Sequence, residues 1–132
     1  MDNFYVRTVF FVADAERALT FYTKQLGFKL DWTYQEQGRA WVFQVSLFGL
    51  ELILNQIEPS TEGRAGHGRV FIGLDDEQTD ELNRHIEEHA IETTVIHWGN
   101  PTLVVHDLDR NELFFWVPER AQASLKARLP AD

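Results

Sequence analysis

Cysteine is absent from this 132-residue chain, so it has neither a disulfide framework nor thiolate chemistry. That absence is compatible with a reducing cytoplasm. Basic residues are scarce: 12 Lys and Arg stand against 21 Asp and Glu, a formal net charge of −9. This balance argues against a nucleic-acid phosphate backbone as partner. It mildly favours cationic ligands through the field of the whole protein, although solubility accounts for most of it. No apolar run is long enough to span a bilayer, and none follows a basic segment as in a signal peptide. The expectation is a cytoplasmic protein with neither membrane nor nucleic acid among its partners. No phosphate loop of the Gly-x-Gly-x-x-Gly type and no Ser/His/Asp constellation is evident.

What is present is a repeated grammar. Residues 10–28 read as a strand running into a helix and out again. Asp14 is placed to cap the helix, and Ala15, Ala18, Leu19, Tyr22 and Leu26 recur at helical spacing. Gly27 stands where a helix needs a left-handed residue to stop. The pattern returns at residues 70–74, a short apolar strand, followed by Asp75 or Asp76 as cap of a helix to about His89. Leu82, Ile86 and Ala90 share its inner face. A doubled pattern of this kind is the mark of an internal repeat.

Taken in order, alternation predicts strands over 5–12, 29–34, 39–47 and 50–55, then 69–74, 93–97, 102–106 and 112–117. Leu30, Trp32 and Tyr34 are expected on one side of their strand; Trp41, Phe43 and Val45 share a face of the next. Turns are expected at 35–38, at Gly49, at 98–101 and at 107–111. Module one spans 4–55, a Gly- and Pro-containing linker 56–68, and module two 69–118. The tail 119–132 is expected to carry a short amphipathic helix with Leu125 and Leu129 on one side. The fold class is α+β: two βαβββ modules forming a curved mixed sheet with a concave groove. One module alone buries its helix poorly, so the groove is expected to be completed in a homodimer.

The run from Phe11 through Tyr22 to Leu26-Gly27-Phe28, and the late run from Asp107 to Phe115, resemble the vicinal oxygen chelate superfamily. That superfamily includes glyoxalase I, extradiol dioxygenases and the bleomycin-resistance proteins. With the repeat, the resemblance covers nearly the whole chain and makes residues 1–118 one domain of this type. The late turn departs from the usual Asp-Pro-Asp-Gly-Asn, with Leu108 and Arg110 replacing Pro and Gly. In the metal enzymes of the family, side chains from the first and last strands of each half hold a divalent cation. Here those places fall on Arg7, Glu51, Arg69 and Phe114, with Glu112 two residues before Phe114 on the same face. A guanidinium cannot ligate a metal. Glu51 and Glu112 are therefore expected to pair with Arg7 and Arg69, and the resemblance is closest to the metal-free bleomycin-resistance proteins.

The function this implies is metal-independent binding and sequestration of a planar or cationic small molecule, with no catalytic residue and no cofactor. Arg7, Trp41, Glu51, Arg69, Trp98, Glu112, Phe114 and Trp116 are the expected ligand-binding residues. Aromatic side chains with a few charges suit such a ligand. The alternative is a lyase, isomerase or dioxygenase in which Glu51, His67 and Glu112 hold zinc, nickel, manganese or iron. A third reading is a dimeric module whose groove is packed shut by Phe114 and Trp116. His85-Ile86-Glu87-Glu88-His89 fits a short zinc-peptidase pattern. Nothing else in the chain supplies a peptidase fold, and the expectation there is a surface helix whose histidines flank the apolar stripe.

Overall fold

The computed structural model describes residues 5–56 and 63–129. The first half holds strand β1 (Thr8–Phe11), helix α1 (Ala15–Thr20), a π-helical turn (Phe21–Gln25), β2 (Lys29–Glu36), β3 (Arg39–Leu47) and β4 (Leu50–Asn55). The second holds β5 (Arg69–Gly73), α2 (Asp76–Glu88), β6 (Thr93–Trp98), β7 (Asn100–His106) and β8 (Glu112–Trp116), followed by α3 (Glu119–Lys126). The strands form two open four-stranded sheets, ordered β1-β4-β3-β2 and β5-β8-β7-β6. In each sheet the first strand runs parallel to the last, and the other pairs are antiparallel. The architecture is α+β, with the βαβββ order written twice.

Local chemistry starts both helices. Asp14 Oδ1 accepts the Arg17 N–H at 3.1 Å. Asp75 and Gln78 form a reciprocal capping box at 2.8 and 3.0 Å, which satisfies two backbone donors at once. The first helix differs from the expected continuous α-helix. At Phe21–Gln25 it widens, so that Leu26 N–H bonds Phe21 O at 3.2 Å and Phe28 N–H bonds Tyr22 O at 2.9 Å. Tyr22 and Leu26 are both fully buried at that widened turn.

Two further expectations are corrected. A β-bulge between Leu30 and Trp32 places Leu30 opposite Val45 but Trp32 opposite Gln44. The extra residue flips the alternation, so Leu30 and Trp32 face opposite sides. The turn expected over 98–101 shrinks to Gly99, whose φ of +79° lets Trp98 pair directly with Asn100. Of the expected linker, residues 57–62 lie outside the described residues.

One face of each sheet packs under the helices. Phe10, Phe43, Val45, Leu52 and Leu54 from the first half share a cluster with Leu103, Val105, Leu113, Phe115 and Val117 from the second. Each such fully buried side chain contributes about 1.5–3 kcal/mol. Leu125 of α3 joins the same cluster.

The two halves are locked by the turn between β7 and β8. Asp107 is 5% exposed and its carboxylate collects four donors: the backbone N–H groups of Asp109 and Asn111, the Asn111 amide, and the Tyr22 hydroxyl at 2.8 Å. Asn111 then donates to Phe11 O at 3.2 Å and accepts the Gly68 N–H at 2.9 Å. Asp109 accepts the Ala13 N–H at 3.0 Å. Burial, and then the Asp107 charge, push the Tyr22 hydroxyl well above its usual pKa, so it stays a donor.

Candidate functional site

The face of each sheet turned away from the helices carries the polar and aromatic side chains. Parity puts Arg7, Val9, Gln44, Ser46, Glu51 and Ile53 on that open face in the first half. In the second half it holds Arg69, Phe71, Val104, His106, Glu112, Phe114 and Trp116.

In the first sheet, Gln44 is the centre. It is 4% exposed and uses every hydrogen-bonding valence of its amide. Its Oε1 accepts from Arg7 Nε and from Trp32 Nε1, each at 3.0 Å. Its Nε2 donates to Asp31 Oδ2 at 3.0 Å and to Glu51 Oε2 at 3.2 Å. Ser46 donates to Asp31 Oδ1 at 3.0 Å. Arg7 Nη2 closes on Glu51 Oε2 at 3.1 Å, and the same guanidinium lies 4.2 Å over the Tyr5 ring. The β2 bulge is what delivers both Asp31 and Trp32 to this amide.

In the second sheet the equivalent space is aromatic. Trp98 meets Phe114 at 5.2 Å and Phe71 at 5.4 Å between ring centroids. It reaches across its sheet from the edge strand, and it is 52% exposed. Arg69 lies 4.4 Å over the Phe114 ring and pairs with Glu112 at 2.7 Å. His106 Nε2 stands 3.2 Å from the other Glu112 oxygen. Burial alone would raise the Glu112 carboxyl, but Arg69 and His106 hold it below the usual carboxylate range.

The pairings of Arg7 with Glu51 and of Arg69 with Glu112 are thus both present, at matching places in the two halves. Trp116 lies at the end of β8 on the same face as Phe114. Trp41 falls at a second β-bulge, where Tyr34 pairs with Val42 but Gln35 with Ala40, and Arg39 lies 4.4 Å over its ring. His67 is exposed in the turn before β5, which begins only at Arg69. Glu51, His67 and Glu112 do not gather: the group of three metal-capable side chains found among the described residues is His85, Glu88 and His89. Sequence reasoning missed Gln44 and Asp31. The signal was there for Gln44, a lone amide inside the apolar run 40–45, because a buried amide must find partners.

The profile of the Glyoxalase/Bleomycin resistance protein/Dioxygenase superfamily matches residues 5–114, and the chain belongs to that superfamily. Several solved structures share the fold. An antibiotic binding protein from Streptomyces sp. CB03234, TnmS3, is 21% identical with a TM-score of 0.64, covering 90% of this chain and 100% of its own. UcmS2 is 19% identical with a TM-score of 0.64, covering 87% and 98%. A lactoylglutathione lyase from Agrobacterium tumefaciens is 17% identical with a TM-score of 0.63, covering 92% and 98%. No curated protein matches the chain. No helix among the described residues is long and apolar enough to cross a membrane.

Proposed function

We propose that this protein binds and sequesters a planar or cationic small molecule on its open face, without a metal in that face and without turnover. The observation that carries the reading is the state of the two carboxylates. Both Glu51 and Glu112 are taken by guanidinium groups at 3.1 and 2.7 Å. A divalent cation at either place would meet the positive charge of Arg7 or Arg69 and compete for the same oxygens. The donor set therefore does not fit the family's metal, and no catalytic step is derived through one.

What remains suits binding. Trp98 and Phe71, each about half exposed, offer rings for stacking against a flat ligand, and the buried Phe114 backs them. Trp32 and Tyr34, also exposed, add rings from the first sheet, with Asp31 beside them. Aromatic faces near carboxylates favour a cationic ligand, and the net charge of −9 acts in the same direction at longer range. The structural neighbours include a protein whose name states antibiotic binding. The exposed apolar side chains Val9, Leu30, Trp32, Tyr34, Phe71 and Trp98 support a homodimer that would cover part of them in the cytoplasm.

The test is a tryptophan-fluorescence titration of chelator-treated, untagged protein with a panel of planar aromatic cations, paired with elemental analysis. The expected result is saturable quenching that survives chelation and is lost in Trp98→Ala. Ligand binding that requires a divalent metal, with that metal lost in Glu51→Ala or His67→Ala, would establish the enzyme-type reading instead.

A further inference from the structure

The C-terminal end of α2 carries a cluster that the open face does not use. His85 and His89 are four residues apart, so they lie on one side of the helix. Their rings are parallel to within 9°, with centroids 6.3 Å apart. Glu88 joins them, and one donor atom from each of the three lies within 4.8 Å of the other two. Glu88 and His89 are exposed and free to rotate, whereas His85 is half-buried.

Two features of His85 bear on a ligand: an unpartnered nitrogen and a ring packed in place. The first is His85 Nδ1, which is buried and has no hydrogen-bond partner among the described residues. Buried ring nitrogens are ordinarily satisfied, and an unsatisfied one marks an absent water or ion. The second is how His85 is held. Gly27, at φ +85°, leaves room for the tip of the imidazole; a Cβ there would stand 2.5 Å from His85 Nε2. The ring is therefore packed in place by the first half of the chain before any ligand arrives, which lowers the ordering cost of binding. The helix end adds a favourable field, because the last carbonyls of α2 present the negative pole of its dipole.

We infer that His85, Glu88 and His89 form a surface site for a borderline divalent transition cation, of the zinc, nickel, cobalt or copper class. Two imidazoles and a carboxylate are the donors that class prefers over magnesium or calcium. Donor atoms each about 2.0–2.2 Å from one such ion fall within the 4.8 Å limit that these three meet, and Glu88 and His89 are exposed, with room to adjust around it. With three protein ligands the ion keeps an open position for water or a ligand. The site belongs to the helix layer and shares no residue with the open face. It stands or falls separately from the proposed small-molecule binding.

The experiment is calorimetric titration of untagged, chelator-treated protein with zinc chloride, and titration with cobalt chloride followed by visible absorption. The expected result is saturation at one ion per chain, with a tetrahedral-type cobalt spectrum. His89→Ala and Glu88→Gln should each weaken binding by at least the roughly tenfold that loss of an outer partner costs. His85→Ala is informative only if circular dichroism is unchanged, so the two exposed positions carry the test. Glu51→Ala should leave the zinc isotherm as it is. Absence of stoichiometric binding, or binding that persists unchanged in His89→Ala, would overturn the inference. Loss of zinc in Glu51→Ala with none in His89→Ala would place the ion on the open face, which would overturn both this inference and the metal-free reading.

Discussion

The two halves of the chain have one topology and two different open faces. Both place an arginine ahead of or at the start of the first strand and a glutamate in the last, and both pair them. Beyond that pair they diverge. Val9 and Ile53 sit opposite one another in the first half, where Phe71 and Phe114 do in the second. The smaller pair accompanies a buried amide hub at Gln44; the larger one carries an aromatic shelf capped by Trp98. At the place equivalent to Gln44, the second half has Val104. The lesson is that a repeat can keep its backbone and its ion pair while one face specialises in directional polar contacts and the other in ring contact.

The connecting turns diverge as well. β3 and β4 are joined by Phe48 and Gly49 alone, both at positive φ. The corresponding turn between β7 and β8 spans residues 107–111 and reaches into the other half. The largest expected effect comes from breaking that difference. Asp107→Ala removes the acceptor of four donors and is expected to cost about 3–5 kcal/mol in chemical denaturation. A loss below about 1 kcal/mol would mean that the halves hold together by apolar packing alone.

Gln44→Val makes the first face resemble the second at that position. It leaves Trp32, Asp31 and Arg7 each short of a partner, and about 1–3 kcal/mol of stability should go with it. Thermal or urea unfolding checks this, and a neutral result would show that water replaces the amide. Trp98→Ala tests the other face. The side chain is half exposed, so stability is expected to change by only about 0.5–1.5 kcal/mol, the scale of an aromatic pair. Ligand affinity should fall, while the urea midpoint moves only by the amount that this small stability change dictates.

The smallest effect is electrostatic. The Glu112 carboxyl titrates below its unfolded value of about 4.3. Its contribution to stability is therefore full above that value and lost as pH falls through the lowered one. Unfolding followed from pH 6 to pH 3 should reveal a small acid-side loss that Glu112→Gln abolishes. Arg69 is half exposed, so solvent screening keeps the effect modest and salt should reduce it further.

Much of this comparison was legible in the sequence. The doubled order, both helix caps and the limits of β3 and β4 follow from period-two alternation and capping chemistry, and the two arginine–glutamate pairs from the family resemblance. The Gln44 hub was not legible, because it depends on a bulge in β2 that no periodic signal announces. Trp98 was read as a turn residue because Trp-Gly-Asn-Pro is rich in turn formers, yet Gly99 alone makes the reversal. Trp41 falls at another such bulge, so alternation along β3 could not fix its face. The joint at Asp107 could be located but not understood, since its partner Tyr22 lies 85 residues away and is aimed by a π-turn.

Because side chains of the 107–111 turn fasten the halves beside the apolar cluster they share, covalent continuity through the linker is expected to be dispensable for assembly, as in a heterodimer encoded as one polypeptide. Halves expressed as separate fragments, divided within residues 57–62, are expected to find each other and co-elute, and the Asp107→Ala fragment to stay apart.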